Sequence, residues 1–152
     1  MNPHLVSRWC AACVLALSLG STGGLASAQS ATPNASASTK YRTVFHVTED
    51  DPRKWAQVLN NARYTQSELG AHNVEIAVVM NGGGISMMKL ESPVAQRIDE
   101  ASKAGIKFHV CQNTMATQKV TKEDMLPQAD YVTSGIGDVI KLQSQGWSYV
   151  KN

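Results

Sequence analysis

Thiols are nearly absent from this chain. Of three cysteines in 152 residues, Cys10 and Cys13 fall in the first apolar run, and only Cys111 lies beyond it. One remaining thiol allows no disulfide framework, so the domain must stand on its core. Aromatic residues are few, at 6% with two phenylalanines. Neither sign of charge dominates: 14 Lys and Arg face 12 Asp and Glu, a formal net charge of +2. That is no electrostatic footprint for nucleic acid or anionic lipid. After Leu19 no run is apolar and long enough to span a bilayer. A Gly-x-Ser-x-Gly elbow and a His-Glu-x-x-His helix are missing, which leaves hydrolase readings without support. The glycine run Gly82-Gly83-Gly84 lacks the lysine and hydroxyl residue of a phosphate loop.

What is present begins with a leader. Arg8, the apolar stretch Trp9 to Leu19 and the small-x-small triplet Ala26-Ser27-Ala28 read as a cleaved secretory signal over residues 1–28. The expected mature start is Gln29, in the periplasm, with no membrane attachment once the signal is gone. Gln29 to Lys40 is small, polar and aperiodic, the composition of a flexible tether. Residues 41–152 then have the length of one compact domain.

Within that domain, strand and helix patterns alternate. Arg42 to Thr48 is rich in β-branched and aromatic residues and predicts a strand. Asp51-Pro52 opens a helix carrying Trp55, Val58, Leu59, Ala62 and Leu69 at helical spacing, closed by Gly70. Val74 to Met80 is a second strand, broken by Asn81 to Gly84. Ser92-Pro93 is expected to cap a helix with Val94, Ile98 and Ala101 on one face, ending at Gly105. Ile106 to Cys111 is a third strand that runs into a polar turn and the start of a helix. Thr121 to Asp124 resembles a capping box for a helical turn ending at Pro127. Asp130 to Thr133, a helix through Ile136, Val139, Ile140 and Leu142, and a strand over Trp147 to Val150 complete the chain. The alternation predicts an α/β fold, a mainly parallel sheet of about five strands flanked by helices, with Rossmann-like or flavodoxin-like layering. Chemistry in such sheets gathers at the carboxyl ends of the strands. Glu49 to Asp51, Asn81 to Gly84 and Cys111 to Thr114 are expected there.

Cys111 is the catalytic candidate. Its position at a strand end, facing a helix N-terminus, is one that stabilises a thiolate. The competing reading is a buried inert thiol, since free cysteine is among the most buried residue types. Asn113 and Thr114 are candidate hydrogen-bond donors to the sulfur, and Asn81 and Gly83 are further binding candidates at the neighbouring strand end. His109 stands two residues before Cys111, on the same strand face, either to tune the thiol or to pack under a covering helix. His46 carries the same ambiguity. Met80, Met87, Met88, Met115 and Met125 raise the alternative of a module that binds a small ligand or Cu(I), with His109, Cys111 and Met115 as a soft trio. Methionine is more often core filling, and no metal or cofactor is called for.

Several segments together resemble the DsrE/DsrF-like sulfur-relay family, in its exported single-domain branch. They are Val44-Phe45-His46-Val47, Trp55-x-x-x-Leu59-x-Asn61-Ala62, Ser92-Pro93-Val94-Ala95-x-Arg97-Ile98, Cys111-x-Asn113-Thr114-Met115, Leu126-Pro127 and Leu142-Gln143-x-x-Gly146-Trp147-x-Tyr149. The resemblance implies an α/β sheet fold, a homo-oligomer, and a cysteine that accepts sulfane sulfur as a persulfide, with Cys111 at that position. It also implies a sulfur donor and an acceptor thiol, on a protein or a small molecule, as partners. Either a persulfide carrier or a thiol-redox protein fits these expectations.

Overall fold

The computed structural model describes residues 41–152. The expected leader, its cleavage site and the tether lie outside the described residues. The strands are β1 (Tyr41–Val47), β2 (Val74–Met80), β3 (Lys107–Cys111), β4 (Ala129–Val132) and β5 (Ser148–Lys151). The α-helices are α1 (Pro52–Leu69), α2 (Ala95–Lys103), α3 (Gln112–Gln118) and α4 (Gly135–Ser144). All strand pairs are parallel, in the order β4-β3-β2-β1-β5.

That order dictates which face each helix covers. From β1 to β4 the chain steps one strand at a time in one direction, and right-handed crossovers keep α1, α2 and α3 on one face. The last connection runs back across the sheet to place β5 beside β1, so α4 must lie on the other face. The two cores follow. On the first face Phe45, Val47, Ile76, Val78, Met80, Phe108 and Val110 pack with Trp55, Val58, Leu59, Ile98 and Met115. On the second, Val44, Ala77 and Val79 meet Val139 and Leu142 of α4 with Trp147 alongside. One helix covers this thinner side, and polar groups of the sheet sit there.

Local signals explain most boundaries. The Asp51 side chain accepts from Arg53 N–H at 2.9 Å, Pro52 occupies the first helical position, and Gly70 leaves α1 at φ +85. Gly146 follows α4 at φ +86. Two expectations are corrected. Ser92-Pro93 does not cap α2: the helix starts at Ala95 without a side-chain cap, and Ser92 instead closes a turn, its carbonyl accepting from Ala95 N–H at 3.1 Å and its hydroxyl from Val94 N–H at 3.4 Å. The glycine run ends β2 at Met80 as expected, and from Gly82 to Met88 it forms a 3-10 helix. The Thr121 capping box is real, with Asp124 as its acidic partner, but its turn ends at Asp124. Beyond it Met125 bridges to Lys89, which fixes the chain in extended form before Pro127.

The glycine run is there for fit. A Cβ on Gly84 would stand 2.2 Å from the Val47 carbonyl oxygen, and one on Gly83 would stand 2.8 Å from Asp50 N. The backbone after β2 thus presses directly on the backbone after β1. Among the described residues no helix is long and apolar enough to cross a membrane.

Candidate functional site

The register builds the site. Val110 of β3 pairs with Met80 of β2, so the next residues, Cys111 and Asn81, stand side by side at the carboxyl edge of the sheet. Both point to the thin face, as do His109 one row below and His46 across Val79 on β1. Gly135, the first residue of α4, sits on the pair. A Cβ there would lie 3.1 Å from the Asn81 Cβ and 3.3 Å from the Cys111 Cβ, so glycine lets the helix start close over the thiol.

Cys111 is 5% exposed and is itself the N-cap residue of α3. An N-cap side chain is placed to accept from the N–H groups two and three residues on, here Asn113 and Thr114. In the thiol form it makes no such cap, and its sulfur lies 3.9 Å from the Thr133 carbonyl. Burial pushes the thiol up. The Thr114 hydroxyl and the N–H groups of Gly135, Thr114 and Asn113 outweigh it, holding Cys111 below its ordinary value. Two helix starts therefore converge on one sulfur. Each contributes N–H groups left without an intrahelical acceptor.

The donors are themselves oriented. Gly82 N–H donates to the Thr114 Oγ1 at 3.2 Å, which leaves the hydroxyl hydrogen free for the sulfur. Gln118 donates to the Gly82 carbonyl at 3.0 Å, tying α3 to the glycine run. Ser134 caps α4 by accepting from Gly137 N–H at 3.1 Å, so Gly135 N–H stays available. Asn113 N–H also donates to the Thr133 carbonyl at 3.2 Å and is shared between it and the sulfur.

His109 packs under α4. Its Nδ1 lies 2.6 Å from the Asp138 Oδ2, with both side chains mostly buried, and the pair pins the first turn of α4 to β3. Its reach to Cys111 is thus through the helix whose start covers the thiol. Gly83 faces the Asp50 backbone. Met115 is packed in the larger core, on the face of β3 opposite His109, so the soft trio does not assemble. Met80, Met87, Met88 and Met125 fill the same core. Among the described residues no group of three or more His, Cys, Asp or Glu side chains converges to hold a metal ion.

Two features escaped the sequence reading. One is the second helix start, Ser134-Gly135, whose capping serine was the only local clue. The other is a line of side chains through the buried His46: the Tyr149 hydroxyl is 3.1 Å from the His46 Nδ1, and the His46 Nε2 is 2.6 Å from the Asn81 Oδ1.

A parallel α/β domain with one anion-stabilised cysteine at its strand ends is the class these features define. The DsrE/DsrF-like family model matches residues 43–151, and the chain belongs to that family. It is similar to the structure of MTH1491, a protein of unknown function from Methanobacterium thermoautotrophicum. Identity is 30% and the TM-score 0.71, over 74% of this chain and all of that one. BT1422 from Bacteroides thetaiotaomicron, also of unknown function, shares the fold at 14% identity and a TM-score of 0.55, over 76% of this chain and 98% of that one. No curated protein matches the chain. The family points to a role in sulfur relay or thiol redox chemistry.

Proposed function

We propose that the protein is an exported, periplasmic carrier of sulfane sulfur that works through Cys111. The observation that carries this is the set of donors around the sulfur: three backbone N–H groups and one hydroxyl favour its anion. The thiolate is the nucleophile in sulfur exchange. It attacks the outer sulfur of a sulfane donor. An Sγ–S bond forms as the donor's S–S bond breaks, and the electron pair leaves with the rest of the donor. An acceptor thiolate then takes the outer sulfur by the same displacement and regenerates Cys111. The short path between thiol and persulfide needs no second cysteine in the chain.

Polysulfide incubation followed by intact-mass measurement tests this reading. The reduced protein should gain one sulfur at Cys111, lost again with dithiothreitol and blocked by prior alkylation. Fully reduced, folded protein that gains no sulfur would sink the proposal.

The protein is also proposed to be a homo-oligomer. On α4, Ile136 and Ile140 are 48% and 61% exposed, one turn apart, and Tyr149 and Val150 are exposed on the edge strand β5. Apolar surface beside an open strand edge is commonly covered by a second copy. Light scattering at micromolar concentration should give a mass above that of the monomer. A monomer mass across a wide concentration range would count against it.

A further inference from the structure

His46 is a buried titratable side chain that the carrier chemistry does not use. It is 7% exposed, on the thin face of β1, and both ring nitrogens are engaged. The Asn81 Oδ1 has no hydrogen to give, so the His46 Nε2 must carry one and donate it. In the neutral ring the Nδ1 is then the acceptor, and the Tyr149 hydroxyl donates to it. The line runs Tyr149 to His46 to Asn81, across contacts 103 and 35 residues apart in sequence. Its end is beside the thiol, because Asn81 and Cys111 both touch the place where a Gly135 Cβ would stand.

We propose that His46 is a positioning residue that acts on the Cys111 sulfur through Asn81. By holding Oδ1 toward β1, it turns the amide nitrogen of Asn81 the other way, to the side of β3 and Cys111. The carboxamide is planar, so fixing its oxygen fixes its nitrogen. The nitrogen becomes a donor in a set position for negative charge at or beyond Sγ, whether on the thiolate, on the outer sulfur of a persulfide, or on an incoming anionic reagent. The hydroxyl of Tyr149 keeps the ring from turning. This rests on the reading that Cys111 works as an anion, and deepens it: Asn113, Thr114 and Gly135 hold Sγ, while Asn81 serves what is attached to it.

The test compares wild type with Asn81→Ala, Tyr149→Phe and His46→Gln. Asn81 is half-buried and Tyr149 lies on an exposed edge, so these two variants should stay folded, with melting lowered only by the unpaired His46 nitrogen. The first readout is the ratio of iodoacetate to iodoacetamide alkylation rates at Cys111. The ratio compares an anionic with a neutral reagent at one thiol and cancels any change in thiolate fraction. It should fall by about fivefold to tenfold in Asn81→Ala and by about threefold in Tyr149→Phe, as expected for losing or loosening one donor to an anion. Glutamine at position 46 keeps an N–H that can reach Oδ1, and His46→Gln should hold most of the wild-type ratio. The second readout is the lifetime of the Cys111 persulfide by mass spectrometry, which should shorten in the same order. If Asn81→Ala and Tyr149→Phe keep the ratio within twofold of wild type, the positioning role is overturned. If the ratio falls as expected but wild type never gains sulfur, the carrier reading fails and the positioning role stands.

Discussion

Gly84→Ala is expected to cost this protein most of its stability. The added Cβ would lie 2.2 Å from the Val47 carbonyl oxygen and 2.6 Å from its carbon, with Thr48 N at 3.1 Å. These are backbone atoms at the end of β1, and Val47 is 1% exposed in the larger core. No rotamer change relieves such an overlap. The end of β1 and the start of the 3-10 helix must move apart, and with them the edge that carries Asn81. Overpacking a tight core usually costs about 1 to 3 kcal/mol, and overlap with backbone belongs at or above the top of that range. Against a total of about 5 to 15 kcal/mol, that is a large share. The melting temperature should fall by roughly 10 °C or more. Gly105→Ala is the control: its φ is +89, but nothing lies within 4 Å of the new Cβ. It should lose only the backbone term for a side chain at positive φ, about 1 to 2 kcal/mol. Equal melting of Gly84→Ala and wild type would show that the two backbones are not in contact.

Thr114→Val should make Cys111 an ordinary buried thiol in part. Valine keeps the shape and removes the hydroxyl that, after burial, has the largest influence on the sulfur. With that donor gone, burial has less to oppose it and the thiol titrates higher. A hydrogen bond to a charged group is worth about 1.5 to 3 kcal/mol, so alkylation at neutral pH should slow about tenfold or more. The rates of the two proteins should converge at high pH, where both thiols are ionised. The pH profile of iodoacetamide labelling in folded protein measures this. A profile that does not shift would remove the hydroxyl from the site. Gly82 N–H loses its acceptor in the variant, but that bond is at the surface and water can replace it.

Much of this was legible because it is local. Asp51-Pro52, Gly70 and Gly146 are helix signals that act within one turn, and the structure uses them as read. The cysteine at a strand end, before a helix, is also a local pattern. Other features depend on the path of the chain. Ser92-Pro93 looks like the Asp51-Pro52 cap, but Ser92 closes a separate turn, its hydroxyl accepting from Val94 N–H and its carbonyl from Ala95 N–H, and the helix waits until Ala95. The Gly82 to Gly84 run reads as a breaker, although its use as a 3-10 helix depends on Val47 and Asp50 beside it. Strand order was not readable, and with it went the second helix start over Cys111. The members of the His46 line were visible one by one, but nothing in the sequence joined them, since they come from β1, the end of β2 and β5.

Because Cys111 occupies the N-cap of α3, its sulfur is also a structural part whose strength follows protonation. A capping serine or aspartate accepts at any ordinary pH. This cap accepts well only as an anion. The folded state holds the thiol below its ordinary value, so ionisation adds stability that is complete above the unfolded thiol's pKa and is lost as pH falls through the folded one. Neutral alkylation removes the anion for good. The last strand end before α3 therefore reports the chemical state of the sulfur to a helix tied through Gln118 to the glycine run. If Cys111 carries sulfur as proposed, loading and unloading it would tighten and loosen the start of α3 itself.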